Sequence, residues 1–350
     1  MIEYLEVKNF RNHDFKKIEI NSKTTFIEGS NGQGKTSLLE ALYFVSLLKS
    51  HRTSDDSTLI QSNKPFAKII VKTTKHTYEV VIQKDSKHLN VDKNQIKKMS
   101  QFVGGYKVIM FSPEDLELIK GHPGIRRRFM DIEMYQVKPK YLEQLSVYKQ
   151  VLKQRNALLK RLKLSDDLTF LKIINKRLSE EANKIIHKRT QFIDHLNQAL
   201  INRFKDFNQT DRVSIIYKPN TPLNSLEGVL NDKTERDILS QTTSSGPHRD
   251  DFIIQFNGAE AKEFASQGQQ RLITIALKLS LIELIDKDEE LIILLDDVLS
   301  ELDEQAVKEI GNIVHSDYQV IMTGTHSNYE NVNLINLNEG DDEYATKQQQ

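Results

Sequence analysis

Gly29-Ser30-Asn31-Gly32-Gln33-Gly34-Lys35-Thr36 places four residues between Gly29 and Gly34 and follows Gly34 with Lys and Thr. This is the pattern of a loop that wraps phosphate groups. The flanks agree. Thr24 to Glu28 (TTFIE) is short, β-branched and apolar, and Leu38, Leu39, Leu42, Val45 and Leu48 recur at helical spacing, so the glycines fall between a strand and a helix. In that position the glycines let backbone N–H groups turn toward an anion, and the following helix adds partial positive charge. Lys35 reaches the outer phosphates, and the Thr36 hydroxyl suits Mg²⁺. All eight residues are candidate nucleotide contacts.

A phosphate loop needs a carboxylate for the metal and one to orient attacking water. Leu291 to Leu295 is a strand-sized apolar run that ends in Asp296 and Asp297. Asp296 fits the metal role, beside Thr36, and Asp297 fits the catalytic one. His326, just past the expected strand Gln319 to Thr323, is placed to hydrogen-bond the outermost phosphate.

The composition bounds the rest. With no cysteine among 350 residues, disulfides, zinc-thiolate sites and thiol catalysis are excluded. No run is long enough to span a membrane, and the alternating Met1 to Asn12 reads as a strand, not a signal peptide, so a cytoplasmic protein is expected. The net charge is +0, but Lys138 to Lys205 holds sixteen Lys and Arg against six Asp and Glu, a net of +10. A basic lobe on an acidic body suits a polyanion partner.

Strands are expected at Ile2 to Val7, Phe15 to Ile20, Phe66 to Thr73, Thr77 to Gln83, Lys107 to Phe111, Val213 to Tyr217 and Asp250 to Phe256. Between Pro139 and Lys205 the pattern is helical instead. Leu145, Leu152 and Leu159, and then Leu171, Leu178, Ile185, Phe192 and Ala199, repeat every seven residues around a polar break at Ser165 to Asp167. A compact helical hairpin therefore interrupts an α/β lobe. The expected division is a head of residues 1–122 and 207–338, a basic helical insertion of 123–206 and a polar tail of 339–350.

The motif order resembles ABC-type ATPase heads of the SMC-like branch: phosphate loop, Ser266-Gln267-Gly268-Gln269-Gln270, Leu294-Leu295-Asp296-Asp297, Ser300-Glu301-Leu302-Asp303, then Thr325-His326. More narrowly, Asn9-Phe10-Arg11-Asn12, Phe111-Ser112-Pro113-Glu114-Asp115-Leu116, Arg126-Arg127-Arg128-Phe129 and Gly246-Pro247-His248-Arg249-Asp250-Asp251 resemble the bacterial recombination-mediator family. The resemblance covers Ile2 to about His326. It implies an α/β ABC-type head with an inserted coiled-coil-like subdomain, ATP and Mg²⁺ as cofactors, and an ATP-dependent homodimer. In such a dimer Ser266, Gly268 and Gln269 contact the nucleotide held by the other copy, Leu302 and Asp303 lie near that interface, and Arg11 approaches the nucleotide of its own chain.

The resemblance further implies binding of duplex DNA and gap junctions, and action with RecO and RecR to help RecA load at single-strand gaps in the nucleoid. Asp297 stands where many ABC ATPases carry Glu, which implies slow turnover, and no Gln is identified for the loop that senses the outer phosphate. Arg126, Arg127 and Arg128 are the candidate DNA-backbone contacts; the alternative for Arg127 is a buried ion pair with Asp131. The competing reading is the nucleotide-binding subunit of an ABC transporter. It is opposed by the 230 residues and the basic helical stretch between Thr36 and Ser266.

Overall fold

The computed structural model describes residues 1–53, 55–207, 209–286, 288–297, 318–326 and 332–337. The Ser300 to Asp303 block, with Leu302 and Asp303, and the tail from Glu339 lie outside the described residues. The chain divides into two units. Met1–Asp115 joins Ile285–Gln350, and Leu116–Leu284 forms the other.

In chain order, the first unit contributes β1 (Ile2–Phe10), β2 (His13–Glu19), β3 (Thr24–Glu28), α1 (Lys35–Leu47), β4 (Phe66–Thr73), β5 (Thr77–Gln83), β6 (Lys87–Val91), β7 (Asn94–Gln95), α2 (Met99–Phe102) and β8 (Lys107–Phe111). The second unit follows with α3 (Glu117–Lys120), α4 (Pro123–Val137), α5 (Lys140–Leu159), α6 (Thr169–Phe207), β9 (Val213–Lys218), α7 (Leu226–Asp232) and α8 (Thr234–Ser240). It ends with β10 (Asp251–Phe256), β11 (Ala259–Glu260), α9 (Ala261–Phe264) and α10 (Gln267–Ser280), and the first unit closes with β12 (Leu291–Asp296), β13 (Gln319–Gly324) and β14 (Asn333–Asn336).

Two sheets build the first unit. One is antiparallel, in the order β2-β1-β4-β5-β6-β7, and its strands alternate buried and half-exposed residues, most clearly along β4. Alternation is what a sheet with one solvated face needs. The other is parallel, in the order β14-β3-β13-β12-β8, and every residue of β8, β12 and β13 is buried. Continuous apolar runs are what a sheet covered on both faces needs.

Helix α1 contacts β1, β4 and β5 of the antiparallel sheet and β8, β12 and β13 of the parallel one. It is clamped between them, so twelve of its thirteen residues are buried and it carries no solvent face. Parallel pairing then sets Gly324 of β13 beside Glu28 of β3, and Asp296 of β12 beside Thr323 of β13. The phosphate loop, Asp296-Asp297 and Thr325-His326 therefore all leave the parallel sheet at the same edge, the carboxyl end where such sheets bind ligands.

In the second unit α6 is the spine. Its 39 residues span about 58 Å, longer than the compact hairpin the heptads suggested. Leu171, Leu178, Ile185, Phe192 and Ala199 are buried as the heptad predicts, while on α5 Tyr148 and Val151 take core positions and Leu152 is only half-buried. The reason is that α6 packs against β9, α7 and α10 as well as α5. The same packing draws 207–284 into the helical unit, where the sequence division assigned those residues to the head.

Two buried arginines pin this unit. Arg189 donates from Nη1 to Asp250 Oδ2 at 2.8 Å and to the Pro247 carbonyl at 2.6 Å, and from Nη2 to Asp131 Oδ1 at 2.8 Å. Tyr217 OH also donates to Asp250 Oδ2, and the Asn220 N–H to Oδ1 at 2.8 Å. Nearer the end of the hairpin, Arg155 donates to Asp237 Oδ2 at 2.7 Å, Thr243 Oγ1 at 2.9 Å and Asn175 Oδ1 at 2.7 Å. Ions removed from water are tolerated when partnered in this way, with Arg155 Nη2 the one guanidinium nitrogen of the pair left buried without a hydrogen bond among the described residues. Arg189→Met is therefore expected to destabilise this unit by about 3–5 kcal/mol, read as a lowered urea midpoint, because Asp131 and Asp250 lose their cation. Arg189→Met combined with Asp250→Asn recovers part of the loss.

His248 sits beside this network. Its Nε2 lies 3.0 Å from the Thr243 carbonyl, which makes Nε2 the donor, so Nδ1 accepts from Tyr148 OH at 2.7 Å. Burial is the largest cause of its depressed pKa, about 4, opposed by the bond to Thr243 and reinforced by Arg249, Arg127 and Arg155. The folded state thus prefers neutral imidazole. Its contribution is fully present above the unfolded pKa near 6.5 and is lost as pH falls toward 4. Urea titrations from pH 7 to pH 4.5 should show stability falling by up to ~1.4 kcal/mol per pH unit from this group, and His248→Gln should flatten that slope.

Candidate functional site

The loop after β3 is held by its own backbone and by the turn between β1 and β2. Gly29 N–H donates to the Gly324 carbonyl at 3.3 Å, and Ser30 N–H donates to Gln33 Oε1 at 2.7 Å. Gly32 and Gly34 take φ of +88° and +92°, which L side chains rarely adopt. A Cβ on Gly34 would also meet His13 Nε2 at 2.3 Å and Asn12 Oδ1 at 2.6 Å. Those two residues brace the loop: Asn12 Nδ2 donates to the Gly32 carbonyl at 3.2 Å, and His13 Nε2 lies 3.2 Å from the Gly34 carbonyl. Sequence reasoning passed over Asn12 and His13. Asn9 and Arg11, with φ of +52° and +54°, mark the tight turn that aims them.

Lys35 is buried, and its Nζ donates to the carbonyls of Gly29 at 2.5 Å and Ser30 at 3.1 Å. Among the described residues no carboxylate pairs with it. A buried ammonium held by carbonyl dipoles alone favours an incoming anion. Thr36 Oγ1 donates to Asp296 Oδ1 at 2.9 Å, and Thr323 Oγ1 donates to the same oxygen at 2.9 Å. Burial, the largest cause, raises the Asp296 pKa against those two hydrogen bonds, with Glu114 and Asp297 adding negative charge nearby.

The donor set fits Mg²⁺. A hydroxyl and a carboxylate are hard oxygens, and their 2.9 Å separation is close to the edge, about 3 Å, of an octahedron with ligands at about 2.1 Å. Among the described residues there is no group of three or more His, Cys, Asp or Glu suited to holding a metal.

Asp297 takes the left-handed φ of +49°, with its N–H donating to Thr323 Oγ1 at 3.1 Å, and it lines the same cleft of about 550 Å³ as Asn31, Gly32, Lys35 and Thr36. Arg11 lines it too. Its guanidinium forks Glu40 with two bonds of 2.8 Å and donates to the Thr58 carbonyl at 3.1 Å. Burial alone would raise the Glu40 pKa, but the bonds from Arg11 and from Ser50 Oγ outweigh it and hold the pKa below the usual range. Arg11 is thus held at the cleft in a fixed orientation. Arg52, a third cation of the cleft beside Lys35 and Arg11, was missed because its polar loop has no periodic signal. His326 is not among the cleft-lining residues: it is 86% exposed, with Nδ1 3.6 Å from Glu28.

In the second unit, Ser266 caps α10. Its Oγ accepts from Gln269 N–H at 3.3 Å, and Gln269 Oε1 accepts from Ser266 N–H at 2.8 Å. This reciprocal capping engages the Gln269 carbonyl oxygen and leaves the Ser266 hydroxyl proton free to donate. Gly268 is exposed, and a Cβ there would meet nothing within 4 Å. All three arginines of the triplet are half-buried, and Arg126 and Arg127 have partners within the fold. Arg126 forks Asp251 at 2.7 and 2.8 Å and donates to the Gly121 carbonyl at 2.8 Å, while Arg127 donates to the Asp250 carbonyl at 2.8 Å. Asp131, the alternative partner for Arg127, instead accepts from Arg189 and Tyr141, each at 2.8 Å.

Comparison with known proteins agrees with this architecture. The family model described as RecF/RecN/SMC N terminal domain matches residues 1–335. The chain is 41% identical over 328 residues to the DNA replication and repair protein RecF of Acholeplasma laidlawii, covering 92% of this chain and 93% of the relative. It is 39% identical over 344 residues to RecF of Bacillus subtilis, covering 93% of each. Among solved structures, the recombination mediator RecF-ATP of the RecFOR pathway superposes with a TM-score of 0.87 at 29% identity, covering 94% of this chain and 93% of that one. An Smc head bound to the winged-helix domain of ScpA, at 16% identity and a TM-score of 0.51, shares the fold. These relatives do not favour the transporter reading. The chain belongs to the RecF family of DNA replication and repair proteins, with the ABC-type ATPase head fold common to RecF, RecN and SMC.

Proposed function

We propose that this chain binds ATP and Mg²⁺ in the cleft of its first unit, pairs with a second copy when ATP is bound, and holds DNA in that state. The supporting observation is the buried Lys35 ammonium, which rests on carbonyls with no carboxylate partner among the described residues, next to the Thr36–Asp296 pair. Lys35 and the loop amides hold the phosphates, and Thr36 and Asp296 hold the metal, which supplies charge neutralisation at the outer phosphates. Asp297 orients water, and its short carboxylate on a left-handed backbone suits slow hydrolysis. His326 acts only on a nucleotide-bound arrangement.

The exposed Ser266 and Gly268 suit contact with the nucleotide of a partner copy. Gly268 leaves room for a close approach from outside, and Ser266 keeps a proton to donate. The relative solved with ATP is assigned to the RecFOR pathway. By extension, this chain acts with RecO and RecR to load RecA at single-strand gaps.

For DNA, the exposed cations Lys160, Arg161, Lys163, Lys172, Lys176 and Arg177, around the turn between α5 and α6, are better placed than Arg126 and Arg127. The latter two already hold Asp251 and the Asp250 carbonyl. Backbone contacts by such cations give affinity without sequence readout.

Sedimentation at micromolar protein should show a monomer without nucleotide and a dimer with ATP and Mg²⁺. Lys35→Met should abolish nucleotide binding, and Ser266→Arg should keep it and lose the dimer. Turnover should stay below about one per second, a slow value for an ATPase. A wild type that stays monomeric with ATP sinks the two-copy model. Charge reversal of Lys172, Lys176 and Arg177 should weaken duplex binding and reduce the slope of log affinity against log salt by about 0.9 per lost contact. An unchanged slope would move DNA to another surface.

A further inference from the structure

A groove of about 450 Å³ in the second unit lies outside the nucleotide site and touches the buried arginine networks only through Tyr141, whose OH accepts from Arg189. It follows α6 from Lys188 to Asn202, whose lining residues recur at spacings of three and four and so share one helix face. That run is about 21 Å long, the reach of a peptide segment and too long for a compact metabolite. The floor is aliphatic, with Met134, Val137, Ala199 and Leu284.

Charge is distributed unevenly along it. Lys138 and Lys188 line one end, and Lys140 is close enough that its charge, with that of Lys138 and after burial itself, lowers the Lys188 pKa. Among the described residues none of these three lysines is paired with a carboxylate. The opposite end holds Asn202 and Glu283, and Glu283 already accepts from Arg203 at 3.2 Å. Between the ends, Gln191 and Gln198 offer amides suited to main-chain hydrogen bonds.

We infer that this groove docks a peptide segment of a partner protein, acidic at the end that meets Lys138, Lys140 and Lys188 and aliphatic along the rest. The cations answer the acidic end, and the aliphatic floor answers the remainder. Single-stranded nucleic acid suits it poorly, because bases need an open ring face to stack on. Phe192 and Tyr141 of the lining are 8% and 1% exposed, with Tyr141 OH committed to Asp131, so His195 is the one exposed ring of the lining, where successive bases need several.

The test is selection of a phage-displayed random peptide library on the full chain, followed by fluorescence anisotropy of the enriched peptide. The expected consensus carries acids at one end and Leu, Ile, Val or Met after them. The double variant Lys138→Glu, Lys188→Glu should weaken that peptide at least about tenfold, as loss of complementary charge does. Lys172→Glu, away from the groove, should leave it unchanged, and circular dichroism confirms that the variants fold. Four results overturn the proposal: no acidic consensus, equal affinity for the double variant, displacement of the peptide by duplex DNA with the same variant dependence, or a nucleotide-free dimer of the wild type that the double variant dissolves. The third assigns the groove to nucleic acid and the fourth to a second copy.

Discussion

The hydrogen bond from Thr36 to Asp296 joins the first turn of α1 to the end of β12, and much of the first unit is arranged so that it forms. Its two residues are 260 apart in sequence. They meet because β3, β13 and β12 are adjacent and parallel, which brings the loops after them to one edge, and because α1 is clamped between two sheets and has no freedom to turn. Thr323 donates to the same carboxylate oxygen, so the middle strand fixes the acid from the other side. Burial raises the Asp296 pKa, and a divalent cation reverses that cost. The Thr36 hydroxyl and the Asp296 carboxylate are therefore held together before any ligand contributes.

Arg189 has the corresponding place in the second unit. A helix of 39 residues is not held in one orientation by an apolar stripe alone, since apolar contacts tolerate sliding. A buried guanidinium aimed at Asp131, Asp250 and the Pro247 carbonyl does not tolerate it. The Gly246 to Asp251 motif then reads as architecture. Asp250 receives Arg189, Tyr217 and Asn220, Asp251 receives Arg126, and His248 receives Tyr148.

What was legible in the sequence followed from period and local chemistry. The apolar runs of β8, β12 and β13, the alternation of β4 and β5, the heptads of α6 and the glycine loop all carry a signal within a few residues. The rest depended on long-range pairing. Nothing near Arg126 names Asp251, 125 residues away, so the basic triplet was read as a candidate contact for the DNA backbone. Asn12 and His13 support the phosphate loop through a turn whose left-handed residues leave no clear mark in composition. The assignment of 207–284 failed to follow its helix for the same reason: β9 and β10 look like head strands by pattern, and only contact with α6 shows where they pack.

Partnering inside the fold separates residues that support the structure from residues left for something else. Arg126, Arg155 and Arg189 are matched by carboxylates in geometries that an external phosphate would have to break, at the cost of stranding a buried or half-buried acid. Gln269 is similarly engaged through its side-chain oxygen, holding the first turn of α10. Lys35 differs, since carbonyl dipoles satisfy its hydrogen bonds and leave its charge unanswered. Ser266 and Gly268 differ as well: Ser266 caps α10 through its oxygen yet keeps a proton to donate, and Gly268 keeps space. The sequence assigned Arg126 to DNA and Lys35, Ser266 and Gln269 to the nucleotide, and their internal partners separate Arg126 and Gln269, whose side chains bond within the fold, from Lys35 and Ser266, whose charge and hydroxyl proton are not engaged by a side chain among the described residues.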